Sequence, residues 1–385
     1  MNNKKLLHIV GSMDPAKGGV TEAVNLITTG LERQAIQNDI LSLDDPNAFF
    51  LQKTTKNIIA LGLGKTPWQY NKQLDFWLKK HHKDYDTIIL HGLWLYPSYA
   101  LYKTILKKRN TTEKPKVYVM PHGMLDPYFQ QAKGRRLKAW RNVLFWKQVD
   151  SKLIRSADGM LFTCEEERRL AAIPFKPYEP RQTDVVSIGL DKSSIQLDFP
   201  KHDSENKPYW LFLGRIHEKK GVDLLIGAYK DLSEKVVLPK LVIAGPGWDS
   251  DYGKKMTQLI DNQANIKTIP IVLGNEKWKL ISQAELFILP SHQENFGITV
   301  IEALTCSTPV LITDKVNIFK EILDANAGIC AQDNQESLRQ KLSEWNRKMP
   351  SEKTKTEQNA RLLFEQKFSL EKSTQLLMDA IFKKP

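Results

Sequence analysis

The residues best suited to chemistry are two glutamates, Glu294 and Glu302, in the segment from Leu286 to Thr313. This segment predicts a buried strand, a loop that holds Glu294, a helix that holds Glu302 eight residues further on, and a second strand. A carboxylate can accept two hydroxyl protons at once, which suits the vicinal hydroxyl groups of a sugar. Taken alone, Glu294 fits an ordinary helix-start acid, and Glu302 an ordinary surface residue, as well as the two fit a sugar-binding pair.

Two cations, Arg215 and Lys220, lie in one short loop after the predicted strand Tyr209–Leu213. A planar guanidinium fork beside a point-charge ammonium group suits the oxygens of a diphosphate. The alternative is a basic surface turn with no ligand.

Weaker signals also follow predicted strands. The turn Gly18-Gly19 enters the first predicted helix, and its amide groups could cap a phosphate. Gly245 follows the strand Lys240–Ala244 in a similar turn, and His122 follows a strand that ends at Met120. A lone histidine in such a place is more often a structural residue than a catalyst.

These candidates depend on the elements that must position them. Short apolar runs alternate with helical segments along the whole chain, which predicts parallel sheets covered by helices on both faces. Ligands bind such open sheets at the carboxyl ends of the strands, where the candidate residues lie. The predicted strands are Leu6–Val10, Thr87–Leu90, Lys116–Met120, Gly159–Thr163, Asp184–Ile188, Tyr209–Leu213, Lys240–Ala244, Leu286–Leu289 and Pro309–Thr313.

With 385 residues, the chain is longer than one core usually spans, so two domains are expected. The polar, proline-bearing stretch 191–207 is the expected linker. We therefore predict an α/β protein with two Rossmann-like domains, at 1–190 and 208–360. A C-terminal helix over 361–385 would either complete the second domain or cross back to the first.

In order and spacing, these motifs resemble the retaining GT-B glycosyltransferases of family 4, whose two Rossmann-like domains face each other across a cleft. The signature E-x7-E corresponds to Glu294 and Glu302. The resemblance covers almost the whole chain and is strongest over 209–313. It rests on Gly214-Arg215 with Lys220-Gly221, Ala244-Gly245-Pro246-Gly247, Pro290-Ser291, Glu294-Asn295-Phe296-Gly297, Glu302-Ala303 and Pro309-Val310, and, in the first domain, on Gly18-Gly19-Val20 and Pro121-His122-Gly123.

The resemblance implies a donor site for a UDP- or GDP-sugar in the second domain. Arg215 and Lys220 would hold the diphosphate, Glu302 the ribose hydroxyls and Glu294 the transferred sugar. Gly245 would line the same edge. The amides of Phe296, Gly297 and Ile298 would face the sugar or the phosphate. One departure is the segment 315–319, where many relatives have a pair of glycines.

The resemblance also assigns roles to the first domain, which would bind the acceptor. Gly18 and Gly19 would approach the phosphate, and His122 would lie near the reacting centre. Anomeric configuration would be retained, and neither a metal ion nor another cofactor would be needed, because Arg215 and Lys220 offset the charge of the leaving group.

Charge is distributed unevenly along the chain. The net charge is +12, and the first 190 residues carry 29 Lys and Arg against 18 Asp and Glu, whereas the remainder carries 27 against 26. Within the first half, Lys133–Arg155 combines eight cations with one acid and several aromatic residues, which suits an anionic membrane surface. The alternative is a partly buried helix with a solvated basic side. We expect a cytoplasmic protein, peripheral on the inner leaflet, with a saccharide or lipid-linked saccharide acceptor in cell-surface polysaccharide or lipopolysaccharide assembly.

Other classes are less well supported. Three distant cysteines without metal-ligand spacing argue against a disulfide scaffold, and no apolar run approaches the length of a transmembrane helix. A sugar-nucleotide epimerase of the same fold would lack E-x7-E. A nucleic-acid-binding protein is suggested only by the basic charge, so no nucleic-acid partner is expected.

Overall fold

In the computed structural model, the chain is described over residues 4–109, 114–131, 136–195, 208–261 and 263–382. It divides into two compact units, one formed by Met1–Gly189 with Ser373–Pro385 and the other by Leu190–Lys372. Each unit is a parallel sheet covered by helices, so the prediction of two Rossmann-like domains is confirmed.

The sheet of the first unit has seven parallel strands in the described residues. The strands are β1 (Lys5–Val10), β2 (Gln37–Ser42), β3 (Ile58–Ala60), β4 (Thr87–His91), β5 (Lys116–Met120), β6 (Gly159–Phe162) and β7 (Thr183–Val185). Their spatial order, β3-β2-β1-β4-β5-β6-β7, reverses direction between β1 and β4. Ligands bind doubly wound sheets at such a switch point.

The sheet of the second unit has six parallel strands in the described residues. The strands are β8 (Tyr209–Leu213), β9 (Lys240–Ala244), β10 (Ile266–Ile269), β11 (Leu286–Leu289), β12 (Val310–Thr313) and β13 (Gly328–Ala331). The order β10-β9-β8-β11-β12-β13 places the switch point between β8 and β11. The strands that carry Arg215 and Glu294 at their carboxyl ends are therefore neighbours.

Helices cover both sheets. They are α1 (Gly19–Arg33), α2 (Lys72–His81), α3 (Tyr96–Thr104), α4 (Tyr128–Gln131), α5 (Arg136–Phe145), α6 (Ser151–Ser156), α7 (Glu165–Ala171), α8 (Val222–Ser233), α9 (Asp251–Ile260), α10 (Gly274–Ser282), α11 (Ile298–Thr305), α12 (Phe319–Asp324), α13 (Gln335–Arg347), α14 (Pro350–Leu363) and α15 (Leu370–Phe382). Their starts are often capped by side chains, as where the Asn71 carboxamide accepts from the Gln73 amide (2.8 Å) before α2.

The central strands form the cores because they are apolar on both faces. Leu7, Ile88 and Val117 are fully buried in the first unit, as are Trp210 and Phe287 in the second. All nine predicted strands are present within a few residues of their predicted bounds, although the predicted Asp184–Ile188 is the shorter β7. Four strands were missed: β2, β3, β10 and β13.

The C-terminal segment differs from the prediction of one helix over 361–385. The residues from 361 to Leu363 are the end of α14, and a π-helical turn spans Phe364–Phe368. Ser369 is extended (φ −69°, ψ 150°), so α15 begins as a separate helix at Leu370. From Ser373 onward the chain belongs to the first unit. Most of the predicted linker, 196–207, lies outside the described residues.

Candidate active site

Three loops at the carboxyl edge of the second sheet are locked together by glycines. A Cβ atom on Gly221 would overlap the carbonyl oxygen of Pro290, and one on Gly245 would overlap that of Gly214. Gly221 and Gly245 also have positive φ, 64° and 142°, which other residues rarely adopt. The loops after β8, β9 and β11 therefore pack backbone against backbone, and their spacing is fixed.

The backbone of Glu294 is held by the loop after β12. Its amide donates to the carbonyl of Lys315 (2.9 Å), and its carbonyl accepts from the amide of Asn317 (3.0 Å). Val316 forms an isolated parallel bridge with Glu294. Segment 315–319, where the resemblance leads us to expect a pair of glycines, thus fixes Glu294 through ordinary backbone pairing.

The carboxylate of Glu294 lies in a strongly cationic environment. It forms an ion pair with the Lys220 ammonium group, and both side chains are only 21% exposed. Burial opposes ionisation, but Lys220, together with Lys219 and Arg215, holds the pKa of the Glu294 carboxyl below its usual value. The guanidinium-bearing Arg215 is exposed. Arg215 and Lys220, the two predicted cations, thus both act on this one carboxylate, which leaves positive charge available for an anionic ligand.

Glu302 is buried on α11, with 8% of its surface exposed, so the surface-residue alternative is wrong. Its carboxylate accepts from the Lys277 ammonium group of α10 at 2.8 Å. Lys277 was missed at the sequence level because it lies 25 residues upstream of Glu302, in a helix whose pattern carries no recognised motif.

The start of α11 presents backbone rather than side chains. The Phe296 ring is buried and packs edge-on against Phe368, with centroids 5.7 Å apart. Gly297 precedes the helix in a left-handed conformation (φ 73°). The first helical bond runs from the Val300 amide to the Gly297 carbonyl (2.8 Å), so the amides of Ile298 and its neighbours have no acceptor within the helix. Such a terminus favours negative charge.

In the first unit, the turn before α1 is held by a buried acid. The Asp44 carboxylate accepts from the Ser12 hydroxyl (2.5 Å) and from the Met13 amide (2.7 Å). Gly18 needs its glycine for φ 90°, whereas Gly19 has no atom within 4 Å of the position a Cβ would take. Packing of the described residues therefore does not explain why position 19 is glycine.

His122 lies in the turn after β5 with a left-handed backbone (φ 52°). The turn is fixed by Glu167, whose carboxylate accepts from the Gly123 amide (2.5 Å) and from the Thr163 amide (2.7 Å) and hydroxyl (2.6 Å). The His122 ring is half-buried, and His122 Nε2 lies 2.9 Å from His91 Nδ1. Burial lowers the pKa of His122 to about 4, so the ring is neutral at neutral pH.

The basic segment of the first unit has two different sides. Lys133 and the two residues after it lie outside the described residues. From α5 onward, Trp146, Val149 and Leu153 are buried, whereas Leu137 and Trp140 are 86% and 66% exposed. No helix among the described residues is both long and apolar enough to cross a membrane.

Two doubly wound parallel sheets, each with its candidate residues in loops at the carboxyl ends of the strands, are the fold of GT-B glycosyltransferases. Residues 194–363 match the family model described as glycosyl transferases group 1. That range includes Arg215, Lys220, Glu294 and Glu302. The match favours a glycosyltransferase over an epimerase or a nucleic-acid-binding protein.

Individual relatives agree with this class. An uncharacterized glycosyltransferase from Methanocaldococcus jannaschii is 35% identical over 227 residues, 54% of this chain and 55% of the relative. The chain spans about half the length of the curated relatives it matches. Among solved structures, sucrose-phosphate synthase from Thermosynechococcus elongatus has a TM-score of 0.74 at 16% identity and covers 98% of each chain. Anabaena HepE, solved in complex with UDP and glucose, has a TM-score of 0.72 at 16% identity, covering 98% of this chain and 99% of HepE.

Proposed function

We propose that the chain is a retaining glycosyltransferase of family 4 that moves a sugar from a nucleoside-diphosphate sugar to an acceptor hydroxyl group. The observation that carries the proposal is the pair of cations Arg215 and Lys220 beside the carboxylate of Glu294, on loops that glycines hold together. An excess of fixed positive charge beside a carboxylate suits a ligand that is both a diphosphate and a polyol.

In this proposal, Arg215 and Lys220 bind the donor diphosphate. Cleavage of the bond between sugar and phosphate builds negative charge on the leaving group, which the two cations and the start of α11 stabilise without a metal ion. Glu294 accepts hydrogen bonds from hydroxyl groups of the transferred sugar. The acceptor hydroxyl attacks on the face from which the diphosphate departs, so the anomeric configuration is retained.

The nucleoside is bound through Glu302, whose carboxylate accepts hydrogen bonds from both ribose hydroxyls. Lys277 orients this buried carboxylate, because its ammonium group donates a hydrogen bond to it at 2.8 Å. The second unit thus contributes one carboxylate for the ribose and one, Glu294, for the sugar.

Within the first unit, the residues proposed to contact ligands are Gly18, Gly19 and His122. The open position at Gly19 supports a close approach of backbone to phosphate, since packing leaves that space unused. His122 contacts a saccharide hydroxyl group as a neutral ring.

The donor class is tested with the purified chain. Its melting temperature is measured with UDP-, GDP- and ADP-sugars, and the release of nucleoside diphosphate is followed with each. We expect a uridine or guanosine donor to raise the melting temperature and to be consumed, and the complex of HepE with UDP makes UDP-sugars the first to try. The shift should disappear in Arg215→Ala but persist in Lys255→Ala, which removes an exposed cation of α9. Lack of any shift or turnover with all three classes would refute the proposal.

We further propose that the first unit contacts an anionic membrane surface and takes a lipid-linked saccharide as acceptor. The exposed Leu137 and Trp140 share α5 with the exposed cations Lys138 and Arg141, a combination that suits the lipid headgroup region. The pathway class would be cell-surface polysaccharide or lipopolysaccharide assembly.

Flotation with vesicles that contain anionic lipid tests the membrane contact at low salt. The double variant Leu137→Ala/Trp140→Ala should remain at the bottom of the gradient. The control Phe76→Ala removes an equally exposed aromatic ring (70%) from α2 and should float like the unmodified chain. Equal flotation of the double variant and the control would exclude this surface.

A further inference from the structure

Three histidines form a hydrogen-bonded row across the switch point of the first sheet. His8 Nδ1 lies 2.9 Å from His91 Nε2, and His91 Nδ1 lies 2.9 Å from His122 Nε2. The rings are stacked, with centroids 5.2 and 5.1 Å apart and interplanar angles of 24°. These nitrogens therefore face one another as donor and acceptor. Among the described residues, no group of His, Cys, Asp or Glu is arranged to hold a metal ion.

Strand register explains how the row forms. His91 pairs with Val10 on β1 and with Met120 on β5. His8 precedes Val10 by two residues, and His122 follows Met120 by two. Each step of the row therefore moves two residues towards the carboxyl ends of the strands. Residues two apart share a face of the sheet, and diagonal neighbours of this kind are within reach of ring side chains. The row therefore climbs from the middle of β1 to the carboxyl edge of the sheet, where it ends at His122.

Asn38 on β2 sets the direction of the row. Its Nδ2 donates to the Ile36 carbonyl at 2.8 Å, so its Oδ1 is the atom 3.3 Å from His8 Nε2. An amide oxygen can only accept, and His8 Nε2 must therefore carry the proton. Because this contact fixes which nitrogen of His8 is protonated, it also determines the protonation of the next two rings.

The three rings are neutral, so each carries one proton, on either Nδ1 or Nε2. Burial lowers the pKa of His8 and His122 to about 4 and that of His91 well below its usual value. A neutral ring that donates from one nitrogen accepts at the other. His8 Nδ1 thus accepts from His91 Nε2, and His91 Nδ1 accepts from His122 Nε2. The remaining nitrogen, His122 Nδ1, is left with a free lone pair.

We propose that Asn38, His8 and His91 are positioning residues that hold the proton of His122 on Nε2 and present Nδ1 as a hydrogen-bond acceptor. The inference rests on the proposed function for its substrate: Nδ1 accepts a hydrogen bond from a hydroxyl group of the bound saccharide. No partner for this atom exists among the described residues, and the ring is half-buried at the ligand-binding edge. If the hydrogen bonds of the row ran in the opposite direction, His122 Nδ1 would carry a proton. A donor at this atom suits a phosphate oxygen and cannot accept a hydroxyl proton.

Nitrogen NMR of the histidine side chains tests the row directly, because protonated and bare ring nitrogens resonate far apart. In the full chain without ligand, we expect His122 to have a protonated Nε2 and a bare Nδ1. Asn38→Leu removes the fixed acceptor and should give His122 a mixture of both tautomers. His91→Phe, which retains a stacked ring without nitrogens, should do the same. His91→Gln, whose carboxamide can accept from His122 and donate to His8, should restore the protonated Nε2.

Kinetics provides the second readout. Three histidines separate Asn38 from the saccharide. Asn38→Leu should nevertheless lower kcat/KM about tenfold, the equivalent of one hydrogen bond. His91→Phe should lower it similarly, and His91→Gln should recover most of the loss. A protonated Nδ1 on His122 in the unmodified chain would overturn the inference even if a variant failed to fold. Unchanged tautomer and kcat/KM in Asn38→Leu would overturn it as well. If the tautomers behave as expected but no nucleotide sugar is turned over, the row stands and the proposed function fails.

Discussion

Replacing Lys220 with alanine is expected to impair both folding stability and activity, for two separable reasons. The ammonium group is the ion-pair partner of Glu294, and both side chains are about four-fifths buried. Removal of Lys220 leaves a largely buried carboxylate without that partner. In the proposed reaction, the same substitution removes one of the two cations that stabilise the leaving diphosphate.

The stability loss has a defined size and sign. Breaking a fully buried pair from one side costs about 3–5 kcal/mol, so about 2–4 kcal/mol is expected for a pair that is one-fifth exposed. The pKa of Glu294 is lowered in the folded state, so the pair stabilises the fold above the unfolded pKa and this contribution disappears as pH falls through the folded pKa. The melting deficit of Lys220→Ala should therefore be largest at neutral pH and shrink below about pH 4.

The activity loss follows from one charge-assisted hydrogen bond in the transition state. Such a bond contributes about 1.5–3 kcal/mol, which corresponds to a fall in kcat of about 10- to 150-fold. Release of nucleoside diphosphate at saturating donor is the assay. The double variant Lys220→Ala/Glu294→Gln tests the stability effect by itself, because removing both charges should recover much of the melting temperature. The kinetic effect is measured in Lys220→Ala alone, since Glu294 contacts the transferred sugar in the proposal.

Two results would refute this reasoning. Turnover of Lys220→Ala within threefold of the unmodified chain and of Lys255→Ala would exclude the role in diphosphate binding. A melting deficit that is the same at acidic and neutral pH would show that the ion pair is not what the substitution disturbs.

Three further predictions use other residues. Burial raises the pKa of Asp150 to about 7, above its unfolded value, so ionisation of Asp150 should lower the stability of the fold as pH rises from about 4 to 7. Asp150→Asn should therefore have a higher melting temperature than the unmodified chain at pH 8, and its melting temperature should depend less on pH. Gly19→Ala should leave the melting temperature unchanged and raise KM for the donor, whereas Gly221→Ala should lower the melting temperature; the reverse pattern would contradict the packing argument. Lys277→Ala should raise KM for the donor about tenfold with little change in kcat, because a ribose contact of Glu302 stabilises ground and transition states alike.

Apolar pattern was sufficient to predict the central strands. Lys116–Met120, Tyr209–Leu213, Lys240–Ala244 and Leu286–Leu289 were predicted with their observed bounds, because strands covered on both faces are continuous apolar runs. The four missed strands are short or begin with polar residues, as in β2. Three of them (β3, β10 and β13) are edge strands, and β2 lies next to an edge. Half-exposed edge strands are stabilised by neighbours that a local pattern cannot supply.

The site was predictable where one loop carries several signals at once. Arg215 and Lys220, or Glu294 and Gly297, are close in sequence and follow a recognisable strand. The residues that hold the site loops of the first unit in place are far away in the sequence. Glu167 acts on the turn of His122 from 44 residues away, and Asp44 holds Met13 from 31 residues away. Such acids look like surface charge in the sequence, and only the fold shows that they are buried against backbone amides.

The glycine contacts set the spacing of the loops after β8, β9 and β11. Where Gly221 meets Pro290 and Gly245 meets Gly214, the spacing of the loops is set by backbone atoms, so neighbouring side chains do not have to maintain it. Segment 315–319 is a further example, since it holds Glu294 by backbone pairing alone. Cations and carboxylates on such loops are preorganised, and electrostatic stabilisation of a leaving group is strongest when its donors need not move. We therefore expect substitutions of side chains around this fixed edge, such as Lys277 on α10, to change ligand affinity without moving the loops themselves.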